Sequence, residues 1–202
     1  AHVIQRQKRD LRGSLRNLQR EGFRHVFTLE TPEEVETATI TREPLWNNFK
    51  GEHGPFDIIG DVHGCYDELL TLLKTLGYTV TADYTVTAPL GRKAIFLGDL
   101  VDRGPNVPAV LRLVMNMVAA GTALCVPGNH DVKLLKALKG KNVQITHGLG
   151  ESLQQLAVEP AEFKEQVAQF IDALVSHYVL DDGKLVICLL YTSPSPRDRQ
   201  KS

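Results

Sequence analysis

Three apolar runs, residues 56–59, 94–97 and 123–126, each lead into a glycine turn carrying an acid or amide. The turns are Gly60-Asp61-Val62-His63-Gly64, Gly98-Asp99-Leu100-Val101-Asp102-Arg103-Gly104 and Gly128-Asn129-His130-Asp131. Glycine lets the backbone reverse sharply at a strand end, and Asp, His and Asn are oxygen and nitrogen donors suited to divalent metals. Open α/β sheets bind ligands beyond the carboxyl ends of their strands, so three such ends can converge on one crevice. The simplest expectation is a metal centre built from residues far apart in sequence.

The spacing around these turns predicts alternating elements: strands over 56–60, 93–97 and 122–126, helices over 66–76, 108–120 and 131–138. Such alternation argues for parallel βαβ units covered by helices. Residues 78–90 are expected to form a small hairpin or an irregular arm. A helix is predicted over 162–178, with Phe163, Val167, Phe170, Ile171, Leu174 and Val175 inward, and a last strand from Lys184 after an Asp181-Asp182-Gly183 turn. Asp131 is expected to cap the helix that it opens.

The 202 residues are enough for a sizeable core, and their net charge of -1 conceals a basic end. Residues 1–25 hold seven Lys or Arg against Asp10 and Glu21. Ile4, Leu11, Leu15 and Leu18 recur there at helical spacing, predicting an amphipathic basic helix to Arg20, then a short strand over 23–29. Thr31-Pro32-Glu33-Glu34 has the cap, proline and acidic first turn of another helix, followed by a linker. No apolar run reaches the roughly 20 residues that span a bilayer, and no signal peptide is evident, so a cytoplasmic protein without membrane partners is expected. Cys65, Cys125 and Cys188 are odd in number and lack zinc-type spacing, which predicts reduced thiols.

GDVHG, GDLVDRG and GNHD, in this order and spacing, resemble the first three motifs of the calcineurin-like metallophosphoesterases. The resemblance implies an α/β sandwich of β-sheet flanked by helices, and two divalent cations, with Mn2+ favoured over Ni2+, Fe2+ or Zn2+. It implies Asp61 and His63 as ligands of one ion, Asp99 as a bridge, and Asn129 as a ligand of the other. Arg103 would clamp the equatorial phosphoryl oxygens, and His130 would protonate the leaving oxygen while Asp102 orients it. His147, in the stretch KNVQITHGLGESLQQL, is placed outside this set.

The flanking runs, from HVIQRQKRDLRGSLRNLQREGFRHVFTLETPEEVE to EHGPFDIIGDVHG, resemble the kinase-to-phosphatase junction of bacterial polynucleotide kinase-phosphatases. That implies RNA ends as substrate, a kinase domain preceding this chain, and an RNA-repair partner protein. No GxxxxGK[ST] occurs, so the chain is not expected to be a kinase itself. After Ile187 the family would continue into His-Ala-Gly, whereas Leu189 stands near the histidine's place, so the chain as given is expected to bind the second ion weakly and to hydrolyse little. Residues 188–202 resemble a translated sequencing adapter. The expected organisation is therefore a kinase end and linker over 1–50, an incomplete phosphoesterase domain over 51–187, and a non-native read-through tail.

Three readings follow. The first is hydrolysis of RNA 3'-phosphate or 2',3'-cyclic phosphate ends. A second keeps the chemistry but takes diadenosine tetraphosphate or phosphoserine. A third, from another class, is a non-catalytic fragment whose arginines bind RNA, with an affinity that falls steeply with salt.

Overall fold

A computed structural model describes residues 6–7, 26–41, 43 and 45–189. The chain divides into two compact units, Ala1–Glu43 and Pro44–Ser202. In the first, Pro32–Thr37 forms α1 behind a reciprocal cap: Glu34 N–H donates to Thr31 Oγ1 at 3.2 Å, and Thr31 N–H donates to Glu34 Oε2 at 3.1 Å. Residues 26–30 take no strand, and Phe27 and Leu29 are exposed, so the alternation there does not mark a buried face. Of the basic helix expected over 2–20 only residues 6–7 are described, and both are helical; the first residues of that strand and the tail from 190 lie outside the described residues.

The second unit runs β1 (Asn48–Phe49), β2 (Phe56–Ile59), α2 (Tyr66–Thr75), β3 (Thr79–Val80), β4 (Val86–Thr87), β5 (Lys93–Phe96) and α3 (Val107–Ala119). It continues with β6 (Ala123–Cys125), α4 (Asn129–Leu138), α5 (Leu149–Ala157), α6 (Ala161–Ala173), β7 (His177–Leu180) and β8 (Leu185–Cys188). Strands β2, β5 and β6 form a parallel sheet in that order, with Ile59 opposite Phe96 and Phe96 opposite Cys125. The runs of β5 and β6 follow from burial on both faces, whereas Ile58 of β2 is exposed. Ala94, Phe96, Ala123 and Cys125 pack with Leu73, Val110 and Val114 of the helical layer. Ile95, Leu124 and Val126 alternate to the other face and meet Leu180 and Ile187. Burying Ile95 completely stabilises the fold by about 1.5–3 kcal/mol.

Leu180 and Ile187 belong to a second sheet, ordered β1-β7-β8, in which β1 and β7 are parallel and β7 and β8 form a hairpin across Asp181–Gly183. Sequence periodicity fails at two places here. The helix expected to Tyr178 ends at Ala173, Leu174 turns extended (φ -63°, ψ 139°), and His177–Leu180 becomes a strand. Tyr178 meets the Phe49 ring edge-on with centroids 5.2 Å apart and Leu180 is fully buried, so this aromatic and β-branched run gains more by pairing than by prolonging the helix. Residues 48–49, read from sequence as the close of the N-terminal segment, pair with β7.

The arm between α2 and β5 is a small antiparallel hairpin, β3 with β4. Beside it Tyr78 O–H donates to Asp57 Oδ2 at 2.9 Å, and Arg92 Nε–H reaches the same oxygen at 2.9 Å. Among the described residues no helix is long and apolar enough to cross a membrane.

Candidate metal centre

The three glycine turns leave the same end of the parallel sheet and interlock. Gly98 has φ +82°, and a Cβ there would lie 2.2 Å from Gly128 N. On Gly128 a Cβ would lie 2.1 Å from Asp99 Oδ1, so the loops after β5 and β6 touch only because both positions lack side chains. The first loop joins them through backbone: Val62 and His63 N–H both donate to Asp99 O, at 3.1 and 2.9 Å, and Gly64 N–H donates to Leu100 O at 2.8 Å.

This interlocking holds His63, Asp99, Asp102 and Arg103 at φ values of +46°, +48°, +73° and +66°. Non-glycine residues there cost on the order of 1–3 kcal/mol each and persist where surrounding structure enforces them, which is common at functional sites.

One ring nitrogen each of His63 and His130 and a carboxylate oxygen of Asp99 lie within 4.8 Å of one another. His63 Nδ1–H donates to Val101 O at 2.8 Å, so its lone pair is on Nε2, which lies 3.7 Å from Asp61 Oδ2. Asp99 is 7% exposed, and its Oδ1 accepts the N–H of His130 in the first turn of α4, where the helix dipole favours negative charge. This donor set of imidazole and carboxylate, oriented from behind by backbone, fits a divalent cation. His63, Asp99 and Asp61 would hold it, with Asn129 available at the start of α4.

The structure thus draws His63, Asp99 and His130 together and sets Asp61 beside His63. Asp61, Arg103 and Asn129 are solvent-exposed on the same three loops. His147 is exposed and lies outside the His63, Asp99 and His130 cluster.

Behind the cluster, His130 Nδ1 and Asp102 Oδ2 are 2.6 Å apart, and Asp102 is fully buried. The rings of His130 and His63 meet edge-on, 4.8 Å between centroids. The helix expected from 131 begins two residues earlier, at Asn129, and Asp131 caps it from its third position, with Oδ2 accepting Gly128 N–H at 2.8 Å while Oδ1 accepts Leu100 N–H at 2.9 Å. Burial pushes its carboxyl up to about 6, opposed by these two donors and reinforced by the nearby Asp99 carboxylate.

Sequence reasoning missed Ser152. It sits fully buried on α5, accepts Asp102 N–H at 2.9 Å and donates its hydroxyl to Asp102 Oδ1 at 2.6 Å. The available signal was the helical spacing of Leu149, Leu153 and Leu156, which puts Ser152 beside an inward stripe.

A bis(5'-nucleosyl)-tetraphosphatase PrpE (asymmetrical) of Anoxybacillus flavithermus is 42% identical over 136 residues, covering 65% of this chain and 55% of that protein. The protein of the same name from Halalkalibacterium halodurans is 49% identical over 136 residues, again 65% and 55%. The chain therefore spans about 55% of the length of these curated relatives. A solved structure assigned as a diadenosine tetraphosphatase superposes with a TM-score of 0.52 at 25% identity, covering 75% of this chain and 57% of that one. These names match the dinucleotide reading and not the polynucleotide kinase-phosphatase resemblance. Residues 54–192 match the calcineurin-like phosphoesterase family, and the chain belongs to it.

Proposed function

We propose that this chain is the metal-binding part of a hydrolase acting on dinucleoside tetraphosphates, the substrate class named for its curated relatives. The observation that carries the reading is the convergence of His63 and Asp99 in front of a buried Asp102–His130 pair. Bound divalent cations supply Lewis acidity and an activated water at such a site. The chain's own residues supply the rest. Arg103 offers a planar fork of donors to equatorial phosphoryl oxygens, and charge there grows toward the transition state. His130 gives a proton to the departing oxygen while the Asp102 carboxylate holds the ring and compensates its positive charge.

A second reading, RNA 3'-phosphate or 2',3'-cyclic ends, is favoured by the arginine-rich residues 1–25, which precede the family match at 54. Diadenosine tetraphosphate, a 3'-phosphorylated oligonucleotide and a phosphopeptide, each incubated with the chain and Mn2+, separate the readings. The tetraphosphate is expected to turn over fastest. Preference for the oligonucleotide would transfer the proposal to RNA ends, and absence of turnover with salt-sensitive RNA binding would support the non-catalytic reading.

A further inference from the structure

Gly148, Ser152 and Gln155 recur at intervals of four and three, so one stripe at and along α5 faces the loop that bears Asp102 and Arg103. A Cβ on Gly148, where φ is +94°, would lie 2.5 Å from Arg103 N, so the helix begins flush against that loop. One turn on, Ser152 meets Asp102 twice, through the backbone N–H and through Oδ1. A further turn on, Gln155 spans the loop's far end: Val107 N–H donates to its Oε1 at 2.7 Å, and its Nε2–H donates to Gly104 O at 3.0 Å.

We infer that α5 is a positioning element of the site, acting through Ser152 on the Asp102–His130 pair and through Gln155 on the Arg103 loop. An aspartate whose Oδ1 accepts from a buried hydroxyl, and whose backbone N–H donates to the same hydroxyl, is held against rotation about its side-chain bonds. The other oxygen is thereby fixed toward His130 Nδ1. Because Ser152 is fully buried, water cannot replace the hydroxyl without a rearrangement. Packing alone would not require a polar group here, since an apolar residue of similar size buries at lower cost. The hydroxyl is aimed at the one carboxylate that holds the proton donor. The kinetic consequence rests on the hydrolase reading above, whereas the geometric one does not.

The test uses the whole chain, first without metal. With 15N-labelled histidine, the Nδ1 proton of His130, held 2.6 Å from a buried carboxylate, is expected as a downfield, slowly exchanging resonance. Ser152→Ala is expected to speed its exchange by about tenfold, the effect of weakening one charge-assisted hydrogen bond, and Ser152→Thr to retain it. Unchanged exchange in Ser152→Ala overturns the inference.

Should Ser152→Ala not fold, Gln155→Glu decides: it keeps the acceptor for Val107 N–H and loses the donor to Gly104 O. Faster amide exchange across residues 102–107 is expected, and no change overturns the clamp. With Mn2+ added, Ser152→Ala is expected to lower kcat for alkyl phosphate esters by about tenfold at constant KM, and to spare p-nitrophenyl phosphate, whose leaving group needs no proton. Equal losses on both esters overturn the positioning role. No turnover by the unsubstituted chain refutes the hydrolase reading alone and leaves the exchange result to decide.

Discussion

Asp131 Oδ1 accepts the backbone N–H of Leu100 at 2.9 Å, so the helix begun by the third loop also fastens the second. Asp131→Ala leaves the N–H groups of Leu100 and Gly128 buried without that acceptor. A loss of about 2–4 kcal/mol is expected in urea unfolding, with Asp131→Asn falling between the variant and the parent because it keeps one acceptor oxygen.

Gly128→Ala places a methyl group where Asp99 Oδ1 now lies, at 2.1 Å. The Asp99 carboxylate must move, and the third loop with it. Metal affinity is expected to fall by at least about 100-fold, as calorimetric titration with Mn2+ or Co2+ would record, even if the variant still unfolds cooperatively.

Asp99→Asn tests the same carboxylate without steric disturbance. The amide preserves shape and an acceptor for His130 N–H but removes the negative charge. Titration with Co2+ is expected to show affinity lowered by about 100-fold, with little change in melting temperature in metal-free buffer.

Asp57 gives a pH dependence remote from the metal centre. Its carboxyl is held below the usual range by donation from Arg92, opposed by burial and assisted by Tyr78. A lowered folded value means that the stabilisation is present above the ordinary unfolded value, about 3.9, and disappears as pH falls through the folded one. Asp57→Asn is therefore expected to cost about 2 kcal/mol at pH 7, and the gap between variant and parent should begin to narrow as pH falls below about 4 in denaturant titrations.

Much of this architecture was legible because its signals are local. The glycine turns, the three apolar runs and the caps at Thr31 and Asp131 depend on neighbouring residues, and the structure reproduces the elements that they predict. What escaped depends on partners distant in sequence. His177 and Tyr178 continue a helical pattern until Phe49 and the β8 hairpin are present to pair with their strand. Ser152 lies 50 residues from Asp102, and a serine on an amphipathic helix carries no mark of what it faces.

The substrate was the least legible. The motifs specify phosphoryl chemistry, and none of their residues distinguishes a dinucleotide from an RNA end.

The in-register pairing of β2, β5 and β6 determines where this chain tolerates change in length. A residue lost inside β5 would exchange the directions of Ile95 and Phe96, exposing each to the wrong layer while withdrawing Asp99 from its neighbours. Extra residues at the tip of the β3–β4 hairpin would disturb neither. Insertions are thus expected to be accommodated in the β3–β4 arm and not within the three parallel strands.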